Sequence, residues 1–256
     1  MQRLLVCALA IGALSSSAAA EPCPGNPDAL GTARVLTVDP AGTPRVGRKQ
    51  FPATLPLQDK ELVLTFDDGP WPASTPAILD TLKRECVRAT FFLLGRNAAD
   101  APALVRREAA EGHSIGTHSY SHPLLNRMAL ARAEAEIDRG VAAVEAALTG
   151  KLGGEPVSAF FRFPGFAASP ALLALMQKRG FVVFGADVWA SDWLALTPQQ
   201  ELRLILRRID KVKRGIVLLH DTKKSTAAML PALLRALKKR GYRIVHVVPA
   251  AAPQPH

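Results

Sequence analysis

The chain predicts an α/β fold, specifically a distorted (β/α) barrel of about seven parallel strands with helices outside. Three observations carry this. From Glu61 onward, short apolar or β-branched runs alternate with longer helical ones, which implies a parallel sheet covered by helices. Polar residues suited to chemistry fall at or just after those short runs: Asp67 and Asp68 after the first, His118 after the third, Arg162 ending the fourth, Asp187 after the fifth and His220 after the sixth. A barrel brings the C-terminal ends of all its strands to one face, whereas an open doubly wound sheet, the competing architecture, gathers function at one switch point.

The expected strands are residues 61–66, 89–94, 113–117, 159–162, 181–186, 215–219 and 243–248, each a short run rich in strand-forming residues. Helices are expected near 74–86, 101–111, 129–148, 170–179, 198–213 and 226–240. Thr197-Pro198 and Ser169-Pro170 each offer an N-cap with proline in the first turn. Gly112, Gly150, Gly180 and Gly241 sit just past helix ends, where a left-handed residue costs least. In the helix over 129–148, Leu130, Ile137, Val141, Val144 and Leu148 recur at core spacing.

Residues 1–20 have the layout of a secretory signal peptide: Arg3, an apolar stretch from Leu4 to Leu14, and Ala18-Ala19-Ala20 as the cleavage site. A retained N-terminal anchor is the competing reading. The apolar run is too short to span a bilayer as a helix, and no other stretch approaches the needed length. The expectation is an exported protein, periplasmic or secreted, with no transmembrane segment in the mature chain. Residues 21–60, rich in Pro, Gly and Thr, read as an N-terminal arm with one strand over 34–38. Residues 61–248 form the main domain, and 249–256 read as a disordered tail.

The formal net charge is +10, a balance that often accompanies nucleic-acid binding. Export argues against nucleic acid and makes anionic wall or extracellular polymers the better partners. The alternative is that the surplus only solvates helix faces such as Lys238-Lys239-Arg240. Cys23 and Cys86 survive cleavage and can pair in an oxidising compartment.

The run Thr65-Phe66-Asp67-Asp68-Gly69-Pro70 carries the most information. Neighbours on a strand point to opposite sides, so both acids serve one site only if the chain breaks there, and Gly69-Pro70 supplies the break. One carboxylate can then bind a metal while the other works as a base; an ordinary turn pair is the alternative. His118 and His122, four apart in one tight turn after a strand, add two imidazoles. A carboxylate with two histidines is a usual ligand set for catalytic zinc with an open position, and it also accepts cobalt or nickel. His220, ending an apolar strand, suits a general acid or a structural histidine. Arg162, in an aromatic stretch, needs a carboxylate partner, and Asp67 is a sensible one. Asp192-Trp193 pairs an acid that can orient a histidine with an aromatic that can stack on a sugar. His113 and His246 read as structural.

In this order, these residues resemble the NodB-like polysaccharide deacetylases. Thr65-Phe66-Asp67-Asp68-Gly69 is similar to the first family motif and His118-Ser119-Tyr120-Ser121-His122 to the second. Arg162-Phe163-Pro164 resembles the third, Asp192-Trp193 the fourth and Leu218-Leu219-His220 the fifth. The resemblance implies a divalent metal, usually zinc, and hydrolysis of N-acetyl groups on amino sugars of peptidoglycan, chitooligosaccharide or exopolysaccharide. It implies that Asp68, His118 and His122 bind the metal and that Asp67 takes the proton of the attacking water. His220 would protonate the departing amine, with Arg162 steadying Asp67 and Asp192 steadying His220. Trp193 and Leu218 would line the acetyl pocket, and a backbone N–H near Gly165 would hold the oxyanion. Many family members carry an aromatic residue where Gly165 stands, and Trp71 is a candidate to replace that contact. An O-acetyl esterase and a non-catalytic glycan-binding barrel are the competing functions.

Overall fold

A computed structural model describes residues 23–151 and 159–250. The expected signal peptide and most of the expected tail, residues 251–256, lie outside the described residues. No helix among the described residues is long and apolar enough to cross a membrane.

Among the described residues, ten strands form one sheet, and every pairing in it is parallel. They are β1 (Thr32–Val38), β2 (Arg45–Val46), β3 (Glu61–Asp67), β4 (Thr90–Leu93), β5 (Ser114–Thr117), β6 (Phe160–Phe161), β7 (Val182–Phe184), β8 (Val188–Trp189), β9 (Gly215–His220) and β10 (Arg243–Pro249). The helices are α1 (Thr75–Arg84), α2 (Gly95–Asp100), α3 (Pro102–Ala110), α4 (Leu130–Thr149), α5 (Pro170–Lys178), α6 (Pro198–Val212) and α7 (Lys224–Lys239).

The barrel closes through a single segment. From β7 the sheet runs through β6, β5, β4, β3 and β9 to β8, and β7 and β8 are separated by only residues 185–187. Both ends of the sheet therefore meet in one stretch of chain. The N-terminal arm fills the gap between them. β2 pairs with β7, Gln50 Oε1 accepts from the Ala186 N–H, and Asp187 accepts from the Arg48 N–H and the Thr54 hydroxyl. β1 pairs with β10, which pairs in turn with the start of β3.

Period-two alternation sorts the side chains. Leu62, Leu64 and Phe66 of β3, Phe91 of β4 and Val217 and Leu219 of β9 pack outward against α1, α6 and α7. Val63, Phe92, Phe160, Phe184 and Ile216 fill the interior, with Val245 and Val247 of β10. Asp67 shares the parity of Val63 and Thr65, and His220 that of Ile216, so both point inward at the C-terminal mouth.

The helix boundary signals act as expected. Thr197 and Gln200 form a capping box and Ser169 caps α5, while Gly112, Gly150, Gly180 and Gly241 all adopt positive φ. On α4, Ile137 and Val144 are buried, while Leu130 at its first position is 48% exposed. Asp187 also departs from expectation. Its Oδ2 accepts from the Ile216 N–H at the start of β9, so it braces the barrel seam and does not sit among the strand ends at the mouth. β2, β8 and α2 are too short to leave a periodic pattern in the sequence.

Cys23 and Cys86 form a disulfide across 63 residues. Cys23→Ser should lower unfolding stability by up to about 4 kcal/mol, the chain-entropy value for a loop of this length. A fall in denaturant midpoint, matched by the wild-type protein under reductant, would show it.

Candidate active site

Arg162 is the hub of the mouth and is fully buried. Its Nη1 donates to Asp67 Oδ1 at 2.6 Å and to Thr65 Oγ1 at 2.9 Å, Nη2 to the Gly185 carbonyl at 2.8 Å and Nε to the Phe184 carbonyl at 3.3 Å. The guanidinium lies 4.3 Å above the Phe92 ring. A buried guanidinium without these partners would be destabilised by roughly 3–5 kcal/mol. Its own carbonyl accepts from His118 Nδ1 at 2.7 Å. That bond sets the tautomer and turns the Nε2 lone pair toward the carboxylates. Burial pushes the Asp67 carboxyl up while Arg162 opposes the shift. Asp67 Oδ2, free of Arg162, lies 3.8 Å from His118 Nε2.

Asp68 follows directly but takes φ +78, the break in the strand that the Asp-Asp pair requires. The turn is held tightly. Its N–H donates to the Phe92 carbonyl, its carbonyl accepts from Asn97 Nδ2 at 2.7 Å, and Gly69-Pro70 is cis. A Cβ on Gly69 would come within 1.9 Å of Asp221 Oδ2, so only glycine fits. Asp221 is itself fully buried and fixed by Thr75, and burial pushes its carboxyl up to about 7.

Asp68 Oδ1 is buried and without a hydrogen-bond partner. It lies 3.6 Å from His118 Nε2 and 3.5 Å from His122 Nε2, and the three donors form one compact group. Donors about 2.0–2.1 Å from a tetrahedral ion are separated by roughly 3.3 Å, so the group fits a small divalent metal. Burial lowers His118 to about 3 despite the Asp68 charge, which keeps the imidazole neutral, the form a metal needs. The two histidines lie on an irregular loop that follows β5. The loop passes through positive φ at both Ser119 and His122. It is secured by α4: Glu136 accepts from the Ser121 N–H and hydroxyl, Arg139 stacks 3.5 Å over Tyr120, and a Cβ on Gly140 would come within 2.5 Å of the Ser119 backbone.

His220 completes the ring, with Nε2 4.0 Å from Asp68 Oδ2. Asp192 accepts from its Nδ1 and its backbone N–H, both at 2.7 Å. Burial pulls the imidazole down, but the Asp192 bond and the charges of Asp192, Asp67 and Asp68 outweigh it and push it up to about 9. Asp192 Oδ2 also accepts from Thr226, whose Oγ1 is 3.0 Å from Glu201 Oε1. One hydroxyl hydrogen serves one carboxylate, and burial pushes Glu201 up to about 7. A protonated Glu201 donating to Thr226 therefore satisfies the chain Glu201–Thr226–Asp192–His220.

The structure thus joins seven of the ten residues singled out in the sequence into one contact network: Asp67, Asp68, His118, His122, Arg162, Asp192 and His220. Trp193, 48% exposed, meets the His220 ring edge-on at 5.9 Å. Leu218 is buried on the inner face two residues before His220. Gly165 is exposed at φ +57 beside Leu124 and joins the rest only through the chain. Beside Gly165, Phe166 stacks at 6.3 Å on Trp189, which contacts Trp193. Trp189 and Phe166, like Glu201, Thr226, Asp221 and Gly140, carried no sequence signal strong enough to single them out.

Asp192→Asn should move the His220 pKa from about 9 toward its ordinary 6.5, because the anion that stabilises the imidazolium is gone; NMR titration of the ring reads this directly. Glu201→Gln, which still donates to Thr226, should cost no more than about 1 kcal/mol of stability, and Glu201→Ala about 1–3 kcal/mol.

A family model described as polysaccharide deacetylase matches residues 54–184. The peptidoglycan-N-acetylglucosamine deacetylase PgdA of Listeria monocytogenes is 34% identical over 191 residues, covering 74% of this chain and 38% of that protein. The chain thus corresponds to well under half the length of that relative. A chitooligosaccharide deacetylase of Bradyrhizobium is 32% identical over 205 residues, covering 74% of this chain and 90% of that protein. Among solved structures, a peptidoglycan deacetylase of Bdellovibrio bacteriovorus superposes with a TM-score of 0.74 at 32% identity, over 85% of this chain and 59% of that one. The motif order, the barrel and these matches agree: the chain belongs to the polysaccharide deacetylase family.

Proposed function

We propose that this protein is a metal-dependent hydrolase that removes N-acetyl groups from an N-acetylglucosamine-containing glycan. The observation that carries the reading is the unpartnered, buried Asp68 Oδ1 facing two imidazole nitrogens, with a carboxylate on one side and an imidazolium on the other. The printed names of the relatives, peptidoglycan-N-acetylglucosamine deacetylase and chitooligosaccharide deacetylase, support the substrate class.

Asp68, His118 and His122 hold the ion. A divalent ion of the zinc type, when bound, acidifies water and polarises a carbonyl oxygen. Asp67 receives the proton of the attacking water at Oδ2, the oxygen that Arg162 leaves free, while Arg162 keeps the carboxylate oriented. His220, already protonated, delivers its Nε2 proton to the departing amine as the C–N bond breaks, and Asp192 holds the ring for that transfer. The products are acetate and a free amine on the sugar. Trp193 and the buried Leu218 wall the acetyl side; a backbone N–H near Gly165 contributes to holding the oxyanion. Export to the periplasm or cell exterior would bring the enzyme to such glycans, and the Cys23–Cys86 disulfide suits an oxidising compartment.

Acetate release from chitopentaose and from peptidoglycan, with added Zn²⁺ and after chelation, tests the reading. Chelation should abolish release. Asp67→Asn should lower kcat at least about 100-fold, the lower end of general-base contributions, in protein that still binds zinc. Acetate from acetylated xylan alone would overturn the amidase reading in favour of an O-acetyl esterase. Glycan binding without acetate, unaltered by Asp67→Asn, would overturn catalysis altogether.

A further inference from the structure

Charge is spread unevenly along this chain. Residues 1–192 hold 19 Lys and Arg against 19 Asp and Glu, while residues 193–256 hold 13 against 3. The final quarter therefore carries the entire formal net charge of +10. Exposed arginines without an ion pair occur elsewhere, among them Arg88, Arg127 and Arg132, so no single cation is distinctive. What sets the final quarter apart is that its anions are withdrawn from the surface. Glu201 and Asp221 are fully buried, and Asp210 pairs with Arg240 at 3.3 Å.

The fold gathers these cations on one wall. α6 and α7 lie side by side: Thr226 Oγ1 meets Glu201 Oε1 at 3.0 Å near their first turns, and the Tyr242 hydroxyl donates to the Ile209 carbonyl at 3.3 Å near their last. Their inner faces are committed to the core through Ile205, Ile209, Leu230 and Leu234. On the outer face of α6, Arg203, Arg207 and Lys211 follow at four-residue intervals, all exposed. On α7, exposed Lys224, Arg235 and Lys239 share one stripe, since steps of eleven and four residues return to the same side of a helix. None of the six has an ion pair or side-chain hydrogen bond among the described residues. With 15 and 16 residues in the two helices, the wall is about 22 Å long and two helices wide.

Its apolar content is low. Val212, at 36%, is the one large apolar side chain that stands exposed on either helix. The wall thus has neither an aromatic platform for a sugar nor an apolar stripe for a partner helix. A broad array of cations without apolar anchors matches a sheet of phosphate groups in both charge and extent. We propose that the outer wall of α6 and α7 docks on the surface of an anionic phospholipid bilayer without inserting into it. The two helices pack on the flank of the barrel, so adsorption does not plug the mouth.

Cosedimentation of the full chain with vesicles tests the docking. One set is phosphatidylcholine alone, the other equal parts phosphatidylcholine and phosphatidylglycerol. The neutral set also reads any contribution from the apolar residues 4–14, which does not depend on lipid charge. Wild type should prefer the anionic vesicles, and the preference should fade as salt rises, because exposed charges are screened. Arg203→Gln/Arg207→Gln/Arg235→Gln should weaken binding to anionic vesicles about 100-fold, at about fivefold per cation near such a surface. Replacing the same three with lysine should keep the binding, since a charged surface does not require the guanidinium fork; this variant separates lost charge from lost packing. Arg88→Gln/Arg127→Gln/Arg132→Gln removes equal charge from other faces and should retain most of the affinity. Equal loss in both glutamine variants overturns the wall, as does a wild type indifferent to lipid charge or to salt. Linear polyphosphate decides the occupant: a wall variant that loses polyphosphate but keeps the vesicles identifies a linear polyanion and overturns the lipid surface.

Discussion

The buried pair of Arg162 and Asp67 is the interaction on which the rest of the mouth depends. A guanidinium at zero exposure has to be answered donor by donor, and the barrel answers it with a carboxylate, a hydroxyl and two carbonyls drawn from β3 and from residues 184–185. Thr65 passes the constraint onward by donating to the Val217 carbonyl of β9. The Arg162 carbonyl orients His118. One residue thus sets the base through its side chain and a candidate metal ligand through its backbone. Exchange for lysine would keep the charge but lose the planar fork that reaches four acceptors.

Around that hub the two titrating partners are both driven upward. Asp67 is an acid made less acidic by burial, and His220 is a base made more basic by surrounding anions. The upward shift keeps His220 charged as a proton donor, while Arg162, opposing burial, favours the carboxylate form of Asp67. The buried Glu201 at the end of the His220 chain shows how this is supported: burial favours its protonated form, which sits near Asp192 without adding a second charge.

The candidate site was readable in the sequence because it is built from residue types that stand out at strand ends: Asp67-Asp68, the histidine pair, Arg162, and His220 with Asp192. Alternation of short and long apolar runs was enough for the barrel. What the sequence hid depends on close approach between segments far apart. Gly140 looks like a flaw in a helix, at a cost of about 1 kcal/mol relative to alanine, until the Ser119 backbone is seen against it. Asp221 looks like a continuation of the His220 strand until Gly69 is found packed on its carboxylate. Asp187 was misplaced for the complementary reason, since residues 185–187 interrupt what reads as one strand and turn its polar end toward the seam. Phe166 escaped notice because its stacking partner, Trp189, lies far along the chain.

The barrel's closure has a consequence for when the protein can become itself. β1 pairs with β10, and β2 occupies the seam beside β7, so strands made early wait for strands made late. Contacts of such long sequence separation form slowly. Until β10 arrives, β1 has no partner strand and the floor of the interior lacks Val245 and Val247. Closure of the barrel is thereby tied to the end of synthesis: the arm's first strand and the floor of the interior are completed by the same C-terminal strand.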